Sequence, residues 1–421
     1  MFKRISKDDS LSIVSDSSER LSWSELLARF EGIAPGTHFL EGGNSIEQAV
    51  VILAAASGLC SAVPLNPRWT AQERDAVRRQ FDGEKIPPGV FIATSGSQGR
   101  PKLVHLSPDA LVMHALLVNE HLDVGEEDVW LACLPFFHVG GMAIVLRCAL
   151  ARAGMVITST QDAKTIAESL DKGVTLASFV PTTLRRVLSF RDHKLPKSIR
   201  TILLGGGPIP AELVQSYPQV LPTYGLTEAG SMVTCARVGC DESERATVGV
   251  PLAGMLVKIV DDSNHPLPRG QSGRIIVKSE GVATAYWKNE NETARTFREG
   301  WIYTEDSGFV DARGYLHVLG RRDRVIVSGG ENIALGEVEE SIRSLTDVRD
   351  VICIGLDDSE WGQLIAVVIE SDRDHPLDSL REALRGKLAA FKLPRKVVVV
   401  PELPLLANGK PDFSAAKKLF G

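Results

Sequence analysis

Short apolar runs alternate with amphipathic stretches through the first half of the chain. The runs are rich in β-branched and aliphatic residues, and the amphipathic stretches repeat apolar residues at helical spacing. Strands that alternate with helices in this way predict an α/β fold of largely parallel sheets covered on both faces. The predicted strands include 89–93, 129–133, 177–180 and 201–204, and the predicted helices are 24–30, 46–54, 108–121, 141–153 and 182–189.

The pattern changes after about residue 230, where strand signals dominate. The segments 255–260, 273–278 and 314–319 are short and rich in β-branched or aromatic residues. A second change in composition falls at 320–323, and the roughly 100 residues beyond it carry both strand and helix signals. We therefore predict a large N-terminal domain, 1–322, of doubly covered sheets plus a β-rich subdomain, followed by a small α+β C-terminal domain, 323–421.

Composition narrows the classes of function. A chain of 421 residues is longer than one hydrophobic core usually supports, and its net charge of −6 argues against a nucleic-acid partner. No apolar stretch approaches the roughly 20 residues of a membrane helix, so we expect no membrane span. The six cysteines lack the spacing of a zinc site and the N-terminus lacks a secretory pattern. These features predict free thiols in a reducing cytoplasm.

A glycine- and hydroxyl-rich segment follows the predicted strand 89–93 and ends in a lysine. Glycines let a backbone approach a polyphosphate closely, while amides, hydroxyls and a lysine bind its oxygens. The spacing differs from that of the common P-loop, and a polar surface turn is the alternative. The candidate nucleotide-binding residues are Thr94, Ser95, Gly96, Ser97, Gly99 and Lys102.

Further segments follow this one in a fixed order, and together they resemble a known superfamily. They are Tyr224-Gly-Leu-Thr-Glu228, Trp301-Ile-Tyr-Thr-Glu-Asp306, Gly320-Arg-Arg-Asp323 with Ser328-Gly-Gly-Glu-Asn-Ile333, and Asn408-Gly-Lys410. From about residue 90 to its C-terminus the chain resembles the adenylate-forming superfamily of acyl-CoA ligases, peptide-synthetase adenylation domains and luciferases.

The resemblance implies a two-step reaction of ATP, Mg²⁺, coenzyme A and a small carboxylic acid. The acid attacks the α-phosphate to give an acyl-adenylate and pyrophosphate, and the thiol then displaces AMP. Lys102, Lys410 and a magnesium ion on Glu228 would offset the repulsion between the anions, and Thr227 would donate to a phosphate or adenylate oxygen. As alternatives, Glu228 is an exposed acid after a turn and Lys410 a surface lysine.

The resemblance also implies how adenosine binds. The family usually has Thr-Gly-Asp where this chain has Thr304-Glu305-Asp306, but the acid that would bind the ribose hydroxyls stays in register. Two of the residues have alternative interpretations: Gly205-Gly-Gly207 could be only a flexible turn, and Arg321 a solvated linker residue. The implied contacts are Tyr224 on one side of the adenine, Gly205, Gly206 and Gly207 on the other, and Asp306 and Arg321 at the ribose, with Gly225 as a further ATP-binding residue.

The C-terminal domain is expected to be mobile, again by resemblance. It would rotate about Asp323 after adenylation, withdraw Lys410 and bring in a glycine-containing loop. Glycines in that loop would let the pantetheine arm of coenzyme A pass close to the backbone. The loop residues are Ser328, Gly329 and Gly330.

The segment Leu134-Pro-Phe-Phe-His-Val-Gly-Gly141 matches the aromatic–histidine segment of the family and implies that His138 lies at the acyl pocket. A packed structural histidine is the alternative. This segment, with 177–183, 203–210 and 327–331, is similar to the o-succinylbenzoate–CoA ligase branch, which serves menaquinone synthesis. An aromatic keto-diacid needs an apolar slot and a cation or donors for its second carboxylate.

Other functions stay open at this point. They are another acyl- or aryl-CoA ligase, an adenylation enzyme that loads a carrier protein, and a nucleotide-binding protein without turnover. The sequence does not fix the oligomeric state, and a homo-oligomer is among the options.

Overall fold

The structure is a computed structural model that describes residues 13–16, 19–83, 85–94, 101–328, 331–406 and 410–421. The strands are β1 (Ile13–Ser15), β2 (Arg20–Ser22), β3 (Thr37–Leu40), β4 (Ser61–Pro64), β5 (Gly89–Thr94), β6 (Lys102–Leu106), β7 (Val129–Ala132), β8 (Gly154–Ile157), β9 (Leu176–Phe179), β10 (Thr201–Leu204), β11 (Val220–Leu226), β12 (Ser231–Cys235), β13 (Val250–Pro251), β14 (Leu256–Val260), β15 (Gly273–Lys278), β16 (Phe297–Arg298), β17 (Trp301–Val310), β18 (Leu316–Arg321), β19 (Val325–Ser328), β20 (Glu331–Ala334), β21 (Asp350–Asp358), β22 (Gly362–Glu370) and β23 (Lys396–Val400).

The helices of the described residues include one at each of the five predicted helical stretches. They are α1 (Trp23–Ala28), α2 (Ile46–Ala56), α3 (Ala71–Arg78), α4 (Pro108–Leu122), α5 (Val139–Ala151), α6 (Ala163–Ser169), α7 (Pro181–Ser189), α8 (Ala211–Ser216), α9 (Glu242–Arg245), α10 (Glu290–Thr296), α11 (Leu335–Arg343), α12 (Leu377–Leu384) and α13 (Phe413–Lys418). Ser45 caps α2 by accepting a hydrogen bond from the Gln48 amide, as polar residues at helix starts commonly do.

The largest sheet has the strand order β13-β12-β11-β10-β9-β7-β8-β1-β2 among the described residues. Its centre is parallel, with β10 between β9 and β11, and the outer pairs are antiparallel. Its strands are buried on both faces because helices cover them, so they read as continuous apolar runs. One core contains Leu131, Phe179, Leu184, Val187 and Ile202, which are at most 2% exposed.

A second sheet has the order β3-β4-β5-β6. The strands β3, β4 and β5 are parallel, and β6 returns antiparallel beside β5. A third sheet has the order β14-β15-β17-β16, with β18 beside β17. The two sheets confirm the predicted mixture of doubly covered α/β structure and a strand-rich segment after residue 230.

A fourth sheet occupies the C-terminal part of the chain, in the order β20-β19-β22-β21 with β23 beside β22. Apolar side chains cover both of its faces. One core includes Ile333, Val338 and Ile365, and the other includes Ile352, Val368 and Ala416. The helices α11, α12 and α13 alternate with these strands, which confirms the predicted α+β character.

The chain divides into two compact units. One is formed by Met1–Lys258, Ile276–Thr304 and Asp311–Leu316, and the other by Ile259–Ile275, Glu305–Val310 and His317–Gly421. The domain boundary between residues 322 and 323 remains a prediction. Every helix of the described residues is too short or too polar to span a bilayer.

Candidate active site

The predicted phosphate-binding segment connects β5 to β6 in an antiparallel hairpin. Thr94, the last residue of β5, lies opposite Lys102, the first residue of β6. The Thr94 hydroxyl donates to the Lys102 carbonyl at 3.5 Å. The hairpin therefore fixes where the segment leaves and re-enters the sheet. Four of the predicted contacts, Ser95, Gly96, Ser97 and Gly99, lie outside the described residues.

Lys102 is paired with a carboxylate that lies far away in the sequence. Its ammonium group donates to Glu292 of α10 and lies 5.3 Å from the centre of the Tyr286 ring. The side chains of Lys102 and Glu292 are 18% and 21% exposed. The hydrogen bond from Lys102 lowers the pKa of Glu292, so the glutamate is a carboxylate at neutral pH.

Tyr286 connects this cation to the predicted metal ligand. The Tyr286 hydroxyl donates to Oε1 of Glu228 at 2.6 Å. Burial and the nearby Glu228 carboxylate raise the pKa of Tyr286, so the phenol keeps its proton. The cluster of Lys102, Tyr286, Glu228 and Glu292, called the cation–acid cluster below, thus brings two predicted site residues together.

Glu228 is held by a short turn, Thr227–Ala229, that follows β11. The Gly230 amide donates to the Thr227 carbonyl at 3.0 Å, and the Ala283 amide donates to the Glu228 carbonyl at 2.8 Å. In the described part of the chain, no group of three or more His, Cys, Asp or Glu side chains could hold a metal. A single carboxylate fits Mg²⁺, which commonly takes its other ligands from substrate phosphates and water.

The predicted adenine contacts lie at the carboxyl ends of two adjacent parallel strands, β10 and β11. Ligands commonly bind at this edge of α/β sheets. Tyr224 is buried, and Gly206 has a φ of 79°. A Cβ on Gly205 would lie 2.7 Å from the Thr223 carbonyl oxygen, and one on Gly225 only 1.9 Å from the Ser231 carbonyl oxygen. Close backbone approach therefore requires glycine at Gly205 and Gly225, whereas Gly207 has open space.

His138 is the residue immediately before α5. Its carbonyl accepts from the amides of Gly141 and Met142, both at 3.0 Å, and its ring lies 4.5 Å from the Phe137 ring, centre to centre. A Cβ on Gly141 would lie 2.3 Å from the Pro135 carbonyl oxygen, so this glycine allows a tight start to the helix. The histidine thus lies at a constrained turn, and its contact with an acyl group stays a prediction.

Arg147 of α5 is a buried cation that the sequence patterns do not single out. It is 2% exposed, lies 5.5 Å from the Trp130 ring, and donates to the Ser231 hydroxyl at 3.2 Å. Among the described residues, its side chain has the Ser231 hydroxyl rather than a carboxylate as hydrogen-bond partner, and its Nε lacks a partner. Burial lowers the pKa of Arg147 to about 10, so it remains charged at neutral pH.

Ser231 lies three residues after Glu228 and links Arg147 to the turn Thr227–Ala229. Its backbone has a φ of 132°, which is uncommon for a residue other than glycine. Such strain concentrates at functional sites. The buried His114 ring donates from Nε2 to the Met232 carbonyl at 2.8 Å, and burial and Arg147 lower its pKa to about 3. His114 is therefore neutral and does not compete with Arg147 for an anion.

The remaining predicted residues lie in the second compact unit. Asp306 lies in β17, and Arg321 ends β18. Ser328 ends β19 and is 5% exposed. Asp323 lies in a short turn, Arg322–Arg324. Lys410 is exposed, and its carbonyl accepts from the Leu406 amide at 2.8 Å. Gly329 and Gly330 lie outside the described residues. The roles of these residues remain predictions.

Sequence reasoning missed Tyr286, Glu292 and Arg147. The first two lie in the segment Tyr286-Trp-Lys-Asn-Glu-Asn-Glu292, where two aromatic residues and three charges could equally mark a solvated surface. Arg147 offered a clearer signal, since it is the one charged residue within the apolar run 139–151 of α5. Charged residues are almost never fully buried unless paired, so this arginine indicates a site for an anion.

Comparisons with known proteins agree with this geometry. The AMP-binding enzyme family matches residues 88–287, and the AMP-binding enzyme C-terminal domain matches residues 337–410. The 2-succinylbenzoate–CoA ligase of Bacillus mycoides strain KBAB4 is 33% identical over 326 residues, which cover 76% of this chain and 68% of that protein. The same-named ligase of Bacillus cereus strain Q1 is 33% identical over 345 residues, 80% and 71% of the two chains.

The chain belongs to the AMP-binding family of adenylate-forming enzymes. Among solved structures, o-succinylbenzoate CoA synthetase from Bacillus subtilis in complex with the acyl-adenylate intermediate OSB-AMP superimposes with a TM-score of 0.84 and 26% identity, covering 95% of this chain and 94% of that one. ATP-bound MatB from Rhodopseudomonas palustris shares the fold, with a TM-score of 0.84, 24% identity and coverage of 99% and 97%.

Proposed function

We propose that this chain is an AMP-forming acid–CoA ligase that converts 2-succinylbenzoate, ATP and coenzyme A into 2-succinylbenzoyl-CoA, AMP and pyrophosphate. The observation that carries the proposal is the cation–acid cluster, because it combines a phosphate-binding lysine with a magnesium-binding carboxylate. The names of the relatives support the choice of acid and of thiol. The reaction would be a step of menaquinone biosynthesis.

The chemical task of the first step is to bring a carboxylate up to a triphosphate. At about 4 Å and an effective dielectric constant of about 20, two opposed unit charges are worth about 4 kcal/mol. Lys102, Lys410 and a magnesium ion on Glu228 would together offset the repulsion. Thr94, Thr227 and the glycines at the carboxyl ends of β10 and β11 would bind phosphate and adenine, and Asp306 and Arg321 the ribose. When bound, Mg²⁺ would neutralise charge on the phosphate oxygens.

The second carboxylate of the acid distinguishes a diacid from a simple benzoate. Arg147 is buried, charged and without a carboxylate partner in the described residues. Ser231, whose backbone φ is 132°, accepts a hydrogen bond from it. Burying an unpaired charge is costly, and a bound carboxylate would remove that cost. We propose that Arg147 and Ser231 bind the second carboxylate, with His138 nearer the acyl group. The fully buried Trp130, 5.5 Å from the Arg147 guanidinium, would form part of the apolar lining around such a site.

For the second step we propose that the part of the chain after Asp323 rotates, removes Lys410 and brings Ser328, Gly329 and Gly330 to the pantetheine arm of coenzyme A.

A cytoplasmic location belongs to the proposal as well. All six cysteines are free, and burial raises the pKa of Cys60 to about 11 and of Cys133 to about 12, so these thiols are unreactive.

The test is a panel of acids offered to the purified chain with ATP, Mg²⁺ and coenzyme A. Pyrophosphate release reports adenylation, and mass spectrometry of the thioester reports transfer. We expect both signals with 2-succinylbenzoate and much weaker ones with benzoate or a fatty acid. A stronger response to a monoacid would make the chain another acyl- or aryl-CoA ligase. Pyrophosphate release without a CoA thioester would indicate an enzyme that loads a carrier protein.

A further inference from the structure

The side chain paired with Lys102 is the least expected feature of the cation–acid cluster. A lysine that binds a polyphosphate must be available to it, yet here its ammonium group donates to Glu292. We infer that Glu292 is a positioning residue that forms an ion pair with Lys102 while no nucleotide is bound. When ATP binds, Lys102 leaves Glu292 and contacts the triphosphate, and the ion pair forms again when pyrophosphate leaves. This inference rests on the proposed function and extends it.

The glutamate is the fixed member of the pair. Its amide donates to Oδ1 of Asn289, which caps α10, and its other carboxylate oxygen accepts from Arg295 at 3.2 Å. The Thr293 hydroxyl also accepts from the Tyr286 amide at 3.0 Å, which ties the helix to the chain before it. Lysine has a long flexible side chain. When a stronger anion arrives, Lys102 is therefore the residue that moves.

The surroundings keep Lys102 near the phosphate site in both states. The face of the Tyr286 ring lies 5.3 Å from its ammonium group, and aromatic faces attract cations. The pair is partly open to water, at 18% and 21% exposure, so it is screened and weaker than a sealed ion pair. A single carboxylate then loses Lys102 to a triphosphate, which carries several negative charges, and regains it once pyrophosphate dissociates.

Calorimetric titration of the full chain with ATP and Mg²⁺, without acid or coenzyme A, tests the inference. Glu292→Gln removes the competitor and keeps the shape of the side chain. A hydrogen bond to a charged group is worth about 1.5–3 kcal/mol, so we expect ATP to bind at least about tenfold more tightly to this variant. Its affinity for AMP, which lacks the β- and γ-phosphates, should match that of the wild type.

Two controls separate the ion pair from a general effect of charge. Glu290→Gln removes the same charge from an exposed position of the same helix and should leave ATP affinity unchanged. In a Lys102→Met background, Glu292→Gln should give no gain, because the lysine it would release is absent. Glu292→Ala provides a second test of the same contact, with AMP binding as the check that each variant is folded.

The outcomes are distinct. Equal ATP affinity of the wild type and both Glu292 variants would overturn the inference and leave the proposed function standing. An equal gain in the Lys102→Met background would also overturn it, since the effect would then not pass through the lysine. If no variant binds ATP, the inference and the proposed function fail together.

Discussion

Tyr286 would orient the Glu228 carboxylate for the Mg²⁺ that we propose it binds. Its hydroxyl donates at 2.6 Å to one carboxylate oxygen, and its raised pKa, caused first by burial, keeps the donor protonated. The hydrogen bond holds the Glu228 carboxylate in one orientation, so its other oxygen is already placed to accept a metal ion. Groups that orient a metal ligand commonly matter nearly as much as the ligand itself.

Tyr286→Phe keeps the ring beside Lys102 and removes only this donor. We expect the Mg²⁺ concentration for half-maximal adenylation to rise about tenfold, with little change in rate at saturating Mg²⁺. The measurement is a magnesium titration of pyrophosphate release. Tyr217→Phe, which removes a hydroxyl that donates to the His193 carbonyl at 3.1 Å, is the matched control and should leave the titration unchanged. A lower rate at all Mg²⁺ concentrations would argue against a role through the metal.

Substitution of Arg147 should affect the KM for the diacid and the free energy of unfolding differently. Arg147→Met removes the cost of a buried cation that lacks a carboxylate partner in the described residues, so the free energy of unfolding should stay constant or rise. Removing one partner of a buried charge pair costs about 2–5 kcal/mol, so the KM for 2-succinylbenzoate should rise at least about 30-fold. Pyrophosphate release with the diacid and with benzoate, together with the unfolding midpoint, checks both parts. Equal losses with the two acids would show that Arg147 does not bind the second carboxylate.

At the scale of elements, the β11–turn–β12 hairpin positions Glu228. Its register shifts between Tyr224 and Gly225, where a bulge lets the two backbones approach closely. A Cβ at Gly225 would lie 1.9 Å from the Ser231 carbonyl oxygen, so Gly225→Ala must displace the turn. We expect a loss of about 1–3 kcal/mol in the free energy of unfolding, together with weaker Mg²⁺ activation.

Urea unfolding and the same magnesium titration measure this effect. Gly32→Ala is the control, because a Cβ there meets nothing within 4 Å, its φ does not require glycine, and it belongs to no proposed binding site. Similar behaviour of the two variants would mean that the hairpin relaxes without cost and that its geometry does not position Glu228.

The elements themselves follow closely from local sequence. The predicted helix 108–121 is α4 at Pro108–Leu122, and the predicted strand 201–204 is β10. The long strand β17, by contrast, lies in a segment that we read only for its motif. Contacts of the site also escape local reasoning: Lys102 and Glu292 are 190 residues apart. None of the predicted helices covers α10, which has no buried residue, and only the fold as a whole decides which cation its carboxylate meets.

At the scale of the whole molecule, the proposed rotation needs a hinge before Arg324. The Arg324 guanidinium donates to Glu339 at 2.6 Å and to the Cys353 carbonyl at 2.9 Å, and it lies 4.2 Å from the Phe413 ring. It is thereby anchored to the helices and sheet of the C-terminal part of the chain. We propose that the backbone change is absorbed immediately before this anchored arginine, at Asp323.

Asp323→Pro fixes φ at this position. If the C-terminal part rotates about Asp323, this variant should favour one arrangement and slow one half-reaction much more than the other. Pyrophosphate release measures the first half-reaction, and thioester formation from added acyl-adenylate measures the second. Normal rates in both would count against rotation at this residue.

Lys410 gives the sharpest separation between the two half-reactions, because we propose that it contacts the reacting groups only during adenylation. Removing one preorganised donor from a developing charge typically costs about 10²–10³ in rate. Lys410→Ala should therefore slow pyrophosphate release by about that factor and leave thioester formation from added acyl-adenylate close to normal. Lys417→Ala, which removes a lysine from the last turn of the neighbouring α13, is the matched control and should affect neither step. Equal losses in both half-reactions for Lys410→Ala would show that this lysine does not leave the site between them.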